Sequence, residues 1–214
     1  MRPQRRLLYH LLIFPNLVVE LLIKVLIYAR SFYCKIVWAG PNELFYSKSQ
    51  HMERLEWLKE HSKGKILEVG CSTGYVTEKL SIDVGLDLDR RRLRRAKWFR
   101  PDHSFVCADG SRLPFREKQF DTVILSEVLE HVPFEVAQGI VNEACRVGEY
   151  VLITIPKLPR YLDNPEHLWI PTTEDALRDL IGARDFEVVR SPNEDYFWVE
   201  LFPSGAGEAA LHTG

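Results

Sequence analysis

Residues 67–75 read LEVGCSTGY, and the reading of this stretch decides the fold. Its core, GCSTG, fits the letter pattern G-x-S-x-G of a nucleophile elbow, which would make Ser72 an attacking serine. It also fits a glycine turn through which a buried strand meets a helix around a bound nucleoside. Against the elbow, the turn follows the first strand of the domain and not a central strand reached late. No HGGG-like oxyanion loop precedes it, and only Asp163 and His167 stand where a triad could be completed. A dinucleotide fingerprint is not met either, because Val76 and Thr77 fall where the third glycine of G-x-G-x-x-G belongs. A turn for a nucleoside without a pyrophosphate remains. Glu68 lies two residues before Gly70, and Asp87 ends the second strand about 20 residues on, where a carboxylate accepts ribose hydroxyls.

Working outward, the apolar runs in KILEVG, VGLDL, FVCA, DTVILS and EYVLITI carry few alternating polar positions. Helical segments over 89–99 and 133–146 separate some of them, the pattern of a parallel sheet covered on both faces. Upstream, Met52, Leu55 and Leu58 keep helical spacing, and Gly64 stops that helix just before the first strand. Downstream, KLPRYLDNPEHLWIPT is long and rich in proline and aromatics, which suits a loop arching over a pocket better than a strand or helix. Thr173 caps the helix EDALRDLIGA, and the runs FEVVR and YFWVEL, with no helix between them, pair antiparallel at one edge.

The front of the chain is different in kind. After MRPQRR come LLYHLLIF, Pro15, Asn16 and then LVVELLIKVLIYARSFYCKIVW. The start looks like a signal peptide, yet no small-x-small cleavage site follows, so retention is expected. A spanning helix needs roughly 20 mostly apolar residues. Here Glu20, Lys24, Arg30 and Lys35 interrupt, each mid-bilayer charge costing about 2.5–3.5 kcal/mol. Glu20, Lys24, Ser31 and Lys35 form a narrow polar stripe on a greasy helix, which suits a helix lying in a bilayer surface with Arg2, Arg5 and Arg6 toward anionic headgroups. Packing as a lid or against a second subunit, and a true span, stay open as alternatives.

Composition narrows the classes further. The formal charge of −2 gives no global drive toward nucleic acid. A second basic cluster, DRRRLRRAKWFR, places Arg90, Arg91, Arg92, Arg94, Arg95, Lys97 and Arg100 on one short helix. It reads as a solvated face with Leu93 and Ala96 toward the sheet, and no nucleic-acid recognition module accompanies it. Cys34, Cys71, Cys107 and Cys145 form neither C-x-x-C pairs nor a zinc spacing, so a reducing compartment and no metal are expected. Cys71 reads as a small residue packed in a tight turn rather than a thiolate.

Four segments in order, LEVGCSTG, GLDLD, CADGSRLPF with QFDTVILSEVLEHV, and the closing antiparallel pair, give the chain its resemblance to the class I S-adenosylmethionine-dependent methyltransferases, in particular the group that includes quinone-biosynthesis methyltransferases. The resemblance runs over residues 66–201. It implies a Rossmann-like α/β fold: a seven-stranded, mostly parallel sheet with helices on both faces and an antiparallel C-terminal edge hairpin, preceded by an apolar N-terminal helical segment. The expected organisation is that N-terminal segment over 1–41, a methyltransferase domain over 42–202 and a flexible tail over 203–214. It also implies S-adenosyl-L-methionine as cofactor. Glu68, Gly70, Cys71 and Gly74 would then shape the turn around its methionine part, Asp87 would meet the ribose, and Leu88 would lie beside the adenine. Asp109, with the Gly110 backbone, would meet the adenine amino group, and Ser126 would lie below the sulfonium. Ser72 departs from the pattern, since glycine is common there, so the loop has to tolerate a side chain. Each assignment has a local alternative: Asp109 in an ordinary turn, Asp87 or Asp89 as a helix cap.

Methyl transfer needs the acceptor aligned with the methyl group and water excluded. Where the acceptor loses a proton, a histidine near it helps. His131 and His167 are the candidates, with a helix-start and a surface-loop histidine as the alternatives; Tyr161 and Trp169 either wall the acceptor or anchor the loop. The expected acceptor is a small molecule or lipid, with a peripheral position at the cytoplasmic face of an anionic membrane, no nucleic acid, and no assignment of oligomeric state. A cofactor-binding module without catalysis, and methylation of RNA or protein, are the competing readings.

Overall fold

The computed structural model describes residues 49–190 and 194–203. The N-terminal segment over 1–41, Cys34 and the tail from residue 204 lie outside the described residues. Helix α1 (Ser49–His61) leads into strand β1 (Ile66–Val69), and a five-residue helix α2 (Tyr75–Lys79) follows the GCSTG turn. Then come β2 (Val84–Asp87), α3 (Arg90–Phe99), β3 (Ser104–Cys107) and β4 (Phe120–Ser126). A 3-10 turn over Leu129–His131 precedes α4 (Phe134–Val147) and β5 (Gly148–Pro156). A second 3-10 turn over Pro159–Asp163, α5 (Glu174–Ile181), β6 (Asp185–Arg190) and β7 (Tyr196–Phe202) complete the order.

The seven strands form one sheet in the order β3-β2-β1-β4-β5-β7-β6. The first five pair parallel, and β7 runs antiparallel between β5 and the edge strand β6. This is the expected seven-stranded, mostly parallel sheet with its antiparallel C-terminal pair. The chain order reverses between β1 and β4, so the carboxyl ends of these strands and their neighbours flank a topological switch point, where open α/β sheets bind ligands.

Both sheet faces are covered. On one, Val151, Ile153 and Ile155 of β5 and Val199 and Leu201 of β7 share a core with Ile140, Val141 and Ala144 of α4 and Leu177 and Leu180 of α5. On the other, Trp57 of α1 stacks on Trp198 of β7 at 5.2 Å between centroids. Alternation along β7 sends Trp198 and Val199 to opposite faces, which is why one strand serves two layers. The helix caps follow the sequence: the Asp89 carboxylate accepts the amides of Arg91 and Arg92, and Thr173 Oγ1 accepts the Ala176 amide.

Several expectations need correction. Met52 is 45% exposed, and Trp57, which the apolar spacing left out, takes its place in the core. The arching loop contains a 3-10 turn and is not wholly irregular. His131 ends a 3-10 turn and does not start a helix. Leu93 and Ala96 are buried as expected, but the basic cluster beside them is not uniformly solvated. Arg100 is buried and donates to Glu78 Oε2 at 3.1 Å and to the Thr73 carbonyl at 3.0 Å. Lys97 Nζ donates to the carbonyls of Pro101 and His103.

Candidate active site

At the carboxyl ends of β1 and β2 the GCSTG turn is held by bonds within itself and to the end of β2. The amides of Gly70 and Cys71 both donate to the Leu86 carbonyl, and the Gly74 amide donates to the Cys71 carbonyl. Gly70 has φ 83, and a Cβ there would come within 2.4 Å of a Val128 methyl. Glycine is therefore required twice over, by conformation and by space. Ser72 adopts φ 51, a left-handed conformation that a serine tolerates at a cost. Its amide donates to Asp87 Oδ2 at 2.8 Å, while the Asp89 amide donates to Asp87 Oδ1 at 2.8 Å. Asp87 is thereby held by two backbone amides at the rim of the turn, and Leu88 beside it is 70% exposed. The Ser72 amide and the Asp87 carboxylate thus form one unit, not a serine nucleophile with a histidine partner.

Beneath the turn, Glu68 is buried and accepts the Thr77 hydroxyl. Burial pushes its carboxyl up to about 7, and the Thr77 hydrogen bond opposes that rise. Cys71 is also buried, and burial together with Glu68 raises its thiol well above the usual range, so it packs and does not react. Arg100 reaches the turn through the Thr73 carbonyl. Nothing in the sequence pattern singled it out, because its role depends on α3 folding back over the turn. Asp109 is exposed, and its Oδ1 accepts both the amide and the hydroxyl of Ser111, which lowers its carboxyl. It does form a local turn, and Gly110 packs close to Val69 of β1 and Ile140 of α4.

The second half of the site lies at the carboxyl ends of β4 and β5. Ser126 Oγ is 3.0 Å from Thr154 Oγ1, and the Thr154 hydroxyl donates to Glu127 Oε1 at 3.1 Å. Glu127 turns the chain out of the sheet with φ 52 and pairs with Arg54 of α1 at 3.3 Å. Beyond it Glu130 is fully buried, and burial followed by the Glu127 charge drives its carboxyl well above the ordinary range. The arching loop clamps onto this turn. The Leu168 amide donates to the Glu130 carbonyl at 2.8 Å, Trp169 Nε1 donates to the Val132 carbonyl at 2.8 Å, and the Trp169 ring packs edge-on against Phe134. Trp169 is thus a loop anchor. Tyr161 donates to Asp195 Oδ2 at 3.1 Å, the same carboxylate that Arg160 grips.

The clamp brings His167 edge-on to His131, 4.9 Å between centroids. Burial, then the neighbouring His131, holds the His167 imidazole below its usual range. Glu127 and Glu130 were not singled out from the sequence. The only signal for them is the spacing E-x-x-E-H in SEVLEHV, which by itself reads as a polar turn. A separate cleft lined by Lys157, Glu174, Val188 and Phe197 opens elsewhere and contains none of the residues named for cofactor or acceptor. Among the described residues no helix is long and apolar enough to cross a membrane.

Residues 67–149 match the family described as "Methyltransferase domain". A fatty-acid O-methyltransferase of Mycolicibacterium smegmatis is 35% identical over 137 residues, covering 59% of this chain and 48% of that protein. The chain spans about half the length of the curated relatives it first matches. In fold it is similar to a SAM-dependent methyltransferase of Thermotoga maritima, with TM-score 0.63 and 14% identity over 82% of this chain and 99% of that one. It is similar also to the N-methyltransferase NodS of Bradyrhizobium japonicum, solved with S-adenosyl-L-homocysteine, with TM-score 0.56 and 18% identity over 72% and 87% of the two chains. The segment that carries the GCSTG turn thus matches a methyltransferase domain, and the sheet that displays it has the fold of these two solved methyltransferases.

Proposed function

We propose that the protein transfers a methyl group from S-adenosylmethionine to a small-molecule or lipid-like acceptor. The observation that carries this reading is the lock between the GCSTG turn and Asp87, two amides on one carboxylate at the switch point of the sheet. A carboxylate so held keeps its remaining lone pairs for ribose hydroxyls, and the exposed Leu88 beside it offers an apolar surface for the adenine. In this reading Glu68, Gly70, Cys71 and Gly74 shape the turn around the methionine part. Asp109 and the Gly110 backbone serve the adenine amino group, and Ser126 forms the floor. Bound cofactor supplies the electrophilic methyl carbon for in-line displacement. The chain's own work is alignment and exclusion of water, which the clamped loop over 157–172 supports by closing onto the Leu129–His131 turn.

The acceptor class draws support from the name of the Mycolicibacterium relative, a fatty-acid O-methyltransferase. It draws further support from the apolar and basic sequence over 1–41, which suits a membrane surface. Titration calorimetry with S-adenosylhomocysteine tests the cofactor half: saturable binding is expected, and binding unchanged in Asp87→Ala would exclude this site. Incubation with methyl-labelled cofactor and fractionated extract tests the acceptor half. Label is expected in the lipid or small-molecule fraction, and label confined to protein or RNA would overturn it. Flotation with anionic vesicles, comparing the full chain with one lacking residues 1–41, tests the membrane surface.

A further inference from the structure

We infer that Glu130, His131 and His167 form a binding site for a divalent transition-metal ion. One ligand atom from each lies within 4.8 Å of the others. Two ligands at about 2.1 Å from an ion are at most about 4.2 Å apart, so a small closing of side chains seats one. Proximity of acidic and imidazole groups is not enough by itself; the hydrogen bonds around them supply the second observation. Glu130 is 0% exposed, and neither of its carboxylate oxygens has a hydrogen-bond partner among the described residues. Buried polar groups in folded proteins are almost always satisfied, and an exception calls for a ligand.

The histidines are oriented for the same point. His131 Nδ1 lies 3.0 Å from the Glu166 carbonyl, which fixes the proton on Nδ1 and leaves the Nε2 lone pair facing Glu130 Oε1 at 4.0 Å. A carbonyl behind one imidazole nitrogen, with the other nitrogen presented as a lone pair, is the usual support of a metal-ligating histidine. His167 Nδ1 is likewise buried without a hydrogen-bond partner among the described residues. Lone pairs of a carboxylate and an imidazole facing one another repel unless a proton or a metal cation stands between them. Two imidazoles and one carboxylate suit a first-row divalent ion, and three protein ligands leave coordination positions open.

The site stands beside the turn read here as the cofactor cradle. The turn that carries Glu130 begins at Val128, whose methyl packs against Gly70 of the GCSTG turn, so the ion would sit next to the cofactor loop. An acceptor oxygen bound there is positioned and acidified, its proton passing to water. This use of the ion rests on the methyl-transfer reading; the binding of the ion does not.

The test uses the full chain, stripped with a chelator and titrated with Co²⁺, whose visible absorption reports its ligands. One equivalent is expected, with roughly 100-fold weaker binding in each of Glu130→Gln, His131→Ala and His167→Ala, while circular dichroism shows all three folded. Uptake of less than one equivalent by the wild-type chain, or binding by both histidine variants as tight as wild type, overturns the site. Should Glu130→Gln not fold, the histidine variants, whose rings are half-exposed, carry the test. Calorimetry with S-adenosylhomocysteine on the same samples separates the two readings. Loss of cofactor binding with cobalt uptake intact breaks only the methyl-transfer reading, and the reverse breaks only the metal site.

Discussion

The two halves of the site are built on opposite principles. Around β1 and β2, groups from two adjacent strands and the turns that follow them, within one short stretch of chain, satisfy one another: Gly70 and Cys71 with Leu86, Ser72 and Asp89 with Asp87, Thr77 with Glu68. Around the ends of β4 and β5, groups from distant parts of the chain meet, and Glu130 and His167 are left with buried atoms that no described residue satisfies. The first arrangement makes a rigid cradle whose shape exists before the ligand arrives. In the second, stability is given up where polar groups point into a shared space, which is how folded proteins commonly carry function.

That contrast can be broken by substitution. Gly70→Ala should have the largest effect, because the new Cβ meets both the left-handed backbone and the Val128 methyl. About 2–5 kcal/mol of stability is expected to be lost, and a denaturant melt indistinguishable from wild type would show that the cradle yields. Glu68 sharpens the point through pH. Its carboxyl is raised from 4.5 to about 7 by burial, so the unfolded chain gives up this proton first. Its contribution is therefore complete below about pH 4.5 and lost as pH rises to about 7. Glu68→Gln should match wild type at low pH and exceed it by up to about 3 kcal/mol above pH 7; parallel stability curves across that window would contradict this.

Asp87→Ala removes the carboxylate proposed to meet the ribose and unlocks the turn together. Affinity for S-adenosylhomocysteine is expected to fall on the order of 100-fold, about 2–3 kcal/mol, as read by calorimetry. The smallest effect has the opposite sign. Glu130→Met replaces a buried carboxyl that has no hydrogen-bond partner among the described residues with an apolar side chain of similar length. The ion-free protein should gain about 1–2 kcal/mol in thermal melts, and a loss would mean that Glu130 is better satisfied than its geometry shows.

The legibility of the molecule in its sequence divides along the same line. The GCSTG turn, Asp87 at the end of β2, the Asp89 and Thr173 caps, the succession of strands along the chain and the antiparallel closing pair could all be read from spacing. Each depends on residues close in the chain or on an apolar period. Arg100 escaped because a run of arginines looks alike until the helix is folded back, when one of them meets the Thr73 carbonyl and the others do not. The expectation of no metal came from cysteine and histidine spacing, a rule that cannot see the proposed ligand set, divided as it is between SEVLEHV and NPEHLW.

By itself, then, the sequence determined the α/β layering and the glycine turn after the first strand, because hydrophobic periodicity and local backbone chemistry act over short chain distances. Only the tertiary structure decided which partners Arg100 and Trp169 take, and that Glu130, His131 and His167 share one space. Those meetings depend on a loop laid across the ends of two strands, where a few hydrogen bonds far apart in the chain fix positions that no local rule encodes.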